Sequence, residues 1–368
     1  MKKRNLYISF LFITLLLLIS CSNNNNPVGV DYSSPWTTST PETQNVDSKY
    51  LNDLVTQIND NTFGNVQSLV ILRNGNLIFE KYFRGYARET LHHVYSVTKS
   101  FTSAMVGIAI QQGIISGINE KLMNYFKDYN IQNSDTSKSS ITLRNVLTMS
   151  AGFQWNELSI PYSDTNNDFN KLFASSDAIQ YVLDKPMQNY PGTKFRYNTG
   201  LPLLFSFIIQ EETGKSAETF TVENIFKKIG ITSYKWDNAP KGITNTGSGL
   251  FLRPIDMALF GQLFLNRGVW NGEQIIRSDW VDISTANSIS VNSNIDYGFY
   301  WWRYSKLNSV VNTLPVNDVY FAYGYGDQII WVIPQYKMVV VITADNGENN
   351  FPTDNIIKNY VLPSITNK

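Results

Sequence analysis

The sequence predicts an α+β fold. In it, one antiparallel sheet built from both ends of the chain is flanked by helices, with a mostly helical lobe, about residues 114–280, inserted between. Three observations carry this. Two β-rich runs, 69–72 and 77–83, flank Arg73-Asn74-Gly75-Asn76, and Asn-Gly between such runs is a strong hairpin signal. Strand patterns return only beyond Asn294, at 297–304, 319–323, 328–333 and 338–343. Between the two groups the chain is mostly helical, with long polar loops.

Taken in order, Lys2, Lys3 and Arg4 precede an apolar run from about 6 to 19 that is too short to span a bilayer comfortably. Residues 1–20 therefore read as a signal peptide. The run ends in Leu18-Ile19-Ser20-Cys21, which resembles a bacterial lipobox. That resemblance implies a lipid anchor on Cys21, the first residue of the mature protein, and a place on the bacterial cell envelope at its periplasmic or extracellular face. Cys21 is the only cysteine, so an intrachain disulfide is impossible and the folded part holds no thiolate metal site. Residues 21–46, rich in Asn, Ser, Thr and Pro, bury too little apolar area to fold and read as a flexible tether. The folded domain, 47–368, is expected to start near Asp47.

Composition narrows the class further. Of 368 residues 43% are apolar and 14% aromatic, ample for a large core, and 30 basic residues balance 30 acidic ones. No basic surface argues for nucleic acid.

Leu51, Leu54, Val55 and Ile58 recur at helical spacing and predict a helix over about 48–60, ahead of the hairpin. After the hairpin comes the most informative stretch, His93-Val94-Tyr95-Ser96-Val97-Thr98-Lys99-Ser100-Phe101. Phe101, Met105, Ile108 and Ala109 form an apolar stripe, so about 96–112 is predicted to be a largely buried helix ended by Gly113. Ser96 then sits at or near its N-cap, with Lys99 on the same face one turn on, within hydrogen-bond reach. The pair reads as a nucleophile with its own base. A lysine neutral near pH 7 requires a pKa about three units below 10.4, roughly 4 kcal/mol of differential interaction, which desolvation can supply. The bland alternative is a capped helix with a solvated lysine.

Further on, 143–149 and 201–212 read as short helices, the second with Pro202 in its first turn and Gly214 as its stop, and Pro254 opens a helix that Gly268 ends. Pro191-Gly192-Thr193-Lys194-Phe195-Arg196-Tyr197-Asn198-Thr199-Gly200 runs from loop into helix and offers the Tyr197 phenol as a proton carrier. Phe321-Ala322-Tyr323-Gly324-Tyr325-Gly326 places small residues at a strand end, where backbone approaches something closely. Gly107, Trp280 and Asp256 are read as close packing, core and helix capping; Trp301 and Trp302 belong either to the cleft or to the core. The two histidines, His92 and His93, are read as structural, and neither His-Glu-x-x-His nor Gly-x-Ser-x-Gly occurs.

Together Tyr95 to Ser100, Ile141 to Gly152, Pro191 to Gly200 and Gly249 to Gly261 resemble, in one order, the serine β-lactamase-related family. It comprises class C β-lactamases, DD-peptidases, esterases of β-lactamase fold and 6-aminohexanoate-dimer hydrolases. The resemblance implies the β-lactamase/transpeptidase-like fold and no cofactor or metal. It implies hydrolysis of a small-molecule or peptide-like ester or amide through an acyl-enzyme on Ser96. Lys99 and Tyr197 would be the proton carriers, the choice of base between them left open. The oxyanion hole would be the backbone N–H groups of Ser96 and Tyr325, with Gly324, Ala322 and Thr199 as substrate-binding positions.

Two departures bear on the branch. Thr199 stands where the Tyr-x-Asn box often has its amide, so a hydroxyl would orient the acyl group. Ala322-Tyr323-Gly324 stands where β-lactamases and DD-peptidases carry Lys-Thr-Gly, and supplies no cation. An esterase or amide hydrolase is therefore favoured over a β-lactamase or DD-peptidase, with a non-catalytic binding lipoprotein of the same fold as the reading from another class.

Overall fold

β1 (Thr37–Thr38), β2 (Val66–Arg73) and β3 (Asn76–Tyr82) open the fold in a computed structural model that describes residues 36–305, 318–348 and 351–366. The expected signal peptide, the lipidated Cys21 and the tether as far as residue 35 lie outside the described residues. Asn74 and Gly75, at φ 50° and 78°, make the hairpin turn between β2 and β3. Positive φ at both central residues matches the turn's twist to that of its strands, which is why Asn-Gly marked it. β4 (His92–His93), β5 (Tyr234–Trp236) and β6 (Leu250–Leu252) form a small antiparallel sheet, and β7 (Val269–Trp270) pairs with β8 (Glu273–Gln274). The late strands are β9 (Ile289–Ser290), β10 (Ile295–Tyr297), β11 (Trp302–Tyr304), β12 (Tyr320–Gly324), β13 (Gln328–Ile333) and β14 (Met338–Ala344).

Among the described residues one nine-stranded sheet runs β1-β3-β2-β14-β13-β12-β11-β10-β9, so the two ends of the chain meet where β2 pairs with β14. Every pairing in it is antiparallel except the short parallel edge of β1 on β3. Side chains alternate across a strand, and here the alternation feeds two cores. Val70, Leu72, Ile330, Val332, Val339 and Val341 face the helical side. Leu69, Ile71, Ile329, Trp331, Val340 and Ile342 face the helix Ser48–Asn59 and the C-terminal turn around Ile357 and Val361. Sequence and structure therefore agree on an α+β fold with a predominantly antiparallel sheet flanked by helices.

Three boundaries differ from the sequence reading. Composition extends the tether to residue 46, yet Trp36 is buried edge-on against Trp270 at 5.8 Å, Thr37 and Thr38 pair with Asn76 and Leu77, and Asp47 N–H donates to Ser364 O at 2.7 Å. Polar composition hid this because backbone pairing and one tryptophan do the holding. The sequence pattern extends the inserted lobe to about residue 280, but the helix Pro254–Leu265 lies on the main sheet. Its Gly261 sits so close that a Cβ there would come 2.6 Å from Val339 Cγ1 and 2.8 Å from Ile330 Cγ2. Residues 297–304, expected as one strand, are the hairpin β10–β11. Tyr300 turns the chain at φ 62°, its carbonyl held by the Ser100 hydroxyl at 2.7 Å.

Candidate active site

Ser96 lies in a 3-10 turn, Tyr95–Val97, that runs into the buried helix Thr98–Gln111. The predicted helix thus starts two residues late, because Tyr95 is held at φ 46°. A left-handed conformation costs a non-glycine residue about 1–3 kcal/mol and persists only when its surroundings enforce it. Here the Tyr95 ring stacks on His93 at 3.8 Å and meets Tyr325 edge-on at 5.4 Å, while its carbonyl accepts from Thr98 Oγ1 at 2.6 Å. The turn leaves Ser96 half-buried on the wall of two adjoining cavities of about 510 and 920 Å³.

Lys99 is 1% exposed. Its Nζ is 2.8 Å from Ser96 Oγ, 2.8 Å from Gly247 O, 3.1 Å from Thr199 Oγ1 and 4.7 Å from the centre of the Tyr197 ring. Burial pushes the amine down from the usual lysine range to about 7, with Glu157 pulling the other way. The solvated lysine of the bland alternative is therefore not what the fold makes. Tyr197 is buried, its ring stacked on Trp302 at 5.8 Å. Burial, then Glu157, hold its hydroxyl well above the ordinary phenol range, while an interaction with the Ser96 side chain acts in the opposite sense. A phenol so placed keeps its proton.

The Tyr197 box is set by its neighbours. Asn198 Oδ1 accepts from the N–H groups of Gly200, at 2.8 Å, and Leu201 in the first turn of the helix Gly200–Thr213, so this oxygen is committed to backbone. Thr199 is 1% exposed and bridges inward, its hydroxyl donating to Glu157 Oε1 at 2.6 Å and accepting from Lys99. Thr199, expected at a substrate-binding position, lines the smaller cavity with Ser96, and its hydroxyl is engaged there with Glu157 and Lys99.

At the strand end, Gly324 packs on the Ser96 turn, where a Cβ would meet Val94 O at 2.3 Å and Ser96 N at 3.2 Å. Only glycine allows β12 this approach, which is the close backbone contact its small residues signal, and Tyr325 follows directly beside Ser96. Ala322 does not belong to the site. It pairs with Ile330 and is fully buried in the core, because strand alternation turns it away from the cleft and turns Tyr323 into it. Tyr323 is 37% exposed and donates to Asp327 Oδ1 at 2.8 Å.

Trp302 borders the larger cavity, whereas Trp301 is buried among Phe260, Phe264 and Tyr320. A Cβ on Gly107 would meet the Trp280 ring at 2.5 Å, so the two are a packing pair. Asp256 was expected to cap its helix, but its fully buried carboxylate instead pairs with Arg253, at 2.6 Å from Nε. His92 bonds Gln67 and His93 bonds Ser248 O, both structural contacts.

Two residues of the Lys99 environment escaped the sequence reading. Gly247 supplies the carbonyl, and a Cβ there would lie 2.6 Å from Thr199 O. The run Asn245-Thr246-Gly247-Ser248-Gly249 was its signal, small residues where two backbones meet. Glu157 lies in a long polar loop with no spacing pattern to announce it. It is 1% exposed and accepts from Trp155 Nε1 at 2.8 Å, Tyr162 OH at 2.9 Å and both the N–H and the hydroxyl of Thr199.

A serine beside a buried lysine, at the foot of a helix lying between an antiparallel sheet and a helical lobe, is the arrangement of a β-lactamase-type fold. The Beta-lactamase family model matches residues 52–359, and the chain belongs to that family. A solved structure described provisionally as a 6-aminohexanoate-dimer hydrolase from Bacillus anthracis superposes with a TM-score of 0.72 at 23% identity, over 90% of this chain and 86% of that one. A family VIII carboxylesterase superposes with a TM-score of 0.64 at 15% identity, over 86% and 94% of the two chains. A protein from Salmonella agona with a provisional D-alanyl-D-alanine carboxypeptidase name is 23% identical over 296 residues, 70% of this chain and 67% of that one.

Proposed function

We propose that the protein is a serine hydrolase of ester or amide bonds that works through an acyl-enzyme. The observation that carries this is the 2.8 Å contact between Ser96 Oγ and a buried amine whose pKa is brought to about 7. Lys99 takes the Ser96 proton as Oγ attacks the carbonyl carbon. The tetrahedral oxyanion is held by the N–H groups of Ser96 and Tyr325, one such donor being worth about 100- to 1,000-fold in turnover. Tyr197, kept protonated by burial, gives its proton to the departing oxygen or nitrogen, and the Lys99 ammonium beside its ring returns the Ser96 proton to the phenolate, restoring both neutral groups. Water then attacks the acyl-enzyme by the reverse route.

Ser96 lies between the two cavities, which gives the acyl and leaving groups separate space. Tyr323, rather than a lysine, faces the larger one, which supports an esterase or amide hydrolase over a penicillin-hydrolysing enzyme. Cys21 carries the lipid that tethers the domain to the envelope membrane; Cys21→Ser should then move the protein from the detergent phase to the aqueous phase. The deciding experiment is labelling by a fluorophosphonate, followed by turnover of a short-chain nitrophenyl ester and a chromogenic cephalosporin. Labelling of wild type but not of Ser96→Ala, with the ester preferred, is expected. Equal labelling of the two would remove the hydrolase reading, and efficient cephalosporin cleavage would reverse the choice of branch.

A further inference from the structure

We infer that Glu157 is a positioning residue of the acylation step: by accepting the Thr199 hydroxyl proton it leaves Thr199 Oγ1 able only to accept from Lys99, which turns the Lys99 lone pair onto Ser96. The inference rests on the serine-hydrolase reading above and adds to it the device that orients the base.

A neutral amine has two N–H donors and one lone pair, and Lys99 Nζ has three polar neighbours: Gly247 O, Thr199 Oγ1 and Ser96 Oγ. A carbonyl oxygen only accepts, so Gly247 takes one hydrogen. Thr199 is ambiguous by itself, since a hydroxyl donates or accepts. Glu157 removes the ambiguity. Its Oε1 lies 2.6 Å from Thr199 Oγ1 and, as a carboxylate, can only accept, so the Thr199 proton points to Glu157 and its lone pair to Lys99. Both amine hydrogens are then committed, and the lone pair is left for the Ser96 proton.

The rest of the Glu157 shell fixes the carboxylate in this role. Oε2 takes the Trp155 indole N–H and the Thr199 backbone N–H, both obligatory donors, and Oε1 also takes the Tyr162 hydroxyl at 2.9 Å. Four donors satisfy a carboxylate that is 1% exposed. The resulting network is directional from Lys99 through Thr199 to Glu157.

Glu157→Gln tests it with almost no change of shape. The two obligatory donors hold the amide oxygen at the Oε2 position, so its NH₂ takes the Oε1 position and donates to Thr199 Oγ1. The Thr199 proton must then turn toward Lys99 and occupy the lone pair that Ser96 needs. The expected result is a fall of about 10- to 100-fold in kcat with KM little changed, set against the 100- to 10,000-fold that a positioned base contributes. The acid limb of kcat/KM should also move to lower pH, because Glu157 favours the charged amine; Glu157 and Tyr197 are the titratable groups beside it among the described residues.

Thr199→Val should lose activity comparably and Thr199→Ser should retain it, which gives an independent measure should Glu157→Gln fold poorly by circular dichroism. Wild-type-like kcat and an unmoved acid limb in folded Glu157→Gln, or full activity in Thr199→Val, would overturn the assignment of Glu157. A wild type that neither labels nor turns over ester would instead overturn the parent reading, and this one with it.

Discussion

At Lys99 the burial that lowers the pKa of the amine also sets how stability varies with pH. The folded pKa of about 7 lies below the 10.5 of a free lysine, so between these values the unfolded chain binds the extra proton. Stability therefore rises with pH across that window, by at most about 1.4 kcal/mol per unit from this group. Comparing wild type with Lys99→Met cancels the other titrations. Urea midpoints at pH 7 and pH 10 should show wild type gaining on the variant, which itself should be catalytically dead; a constant difference would mean the amine is charged in the fold. Activity follows the same titration from the other side, and a rate that stays level from pH 8 to pH 5 would contradict a neutral-amine base.

At the scale of elements, close approach of backbones explains what side-chain patterns leave open. The helix Pro254–Leu265 is apolar all round and reads as buried without revealing its partner, which is the sheet at β13 and β14. Gly261 sets that distance. Gly261→Ala should cost about 1–3 kcal/mol by overpacking, seen as a lower urea midpoint, and part should return in Gly261→Ala/Val339→Ala, where a contacting methyl pair is removed. Equal destabilisation in both backgrounds would locate the cost elsewhere. Gly324 works likewise at the Ser96 turn, where the strand end presses on Val94 and Ser96.

For the whole molecule, the N-terminal strap is the part most at odds with its composition. Trp36 packs into the larger core, β1 extends the sheet, and residues 45–47 tie to the C-terminus through Asp47 N–H on Ser364 O and Thr366 N–H on Asn45 O. A chain beginning at Asp47 should lose about 3 kcal/mol relative to one beginning at Trp36, with Trp36→Ala accounting for most of it. Coincident denaturation curves for the two chains would show the strap to be passive. The two ends of the chain thus close one sheet, and that closure brings the β12 strand end to the Ser96 turn.

By itself the sequence determined what local chemistry dictates: the Asn74-Gly75 turn, the buried helix after Ser96, the serine and lysine one turn apart, and the phenol of Tyr197. These are set by φ preferences and by the 3.6-residue period, which act over a few positions. Tertiary structure decided what depends on separated segments meeting. It placed Glu157 against Thr199, the Gly247 carbonyl on Lys99, Tyr323 rather than Ala322 in the cleft, and Trp36 on Trp270. No periodicity encodes such contacts, because a carboxylate in a polar loop looks solvated until the fold removes the water from around it.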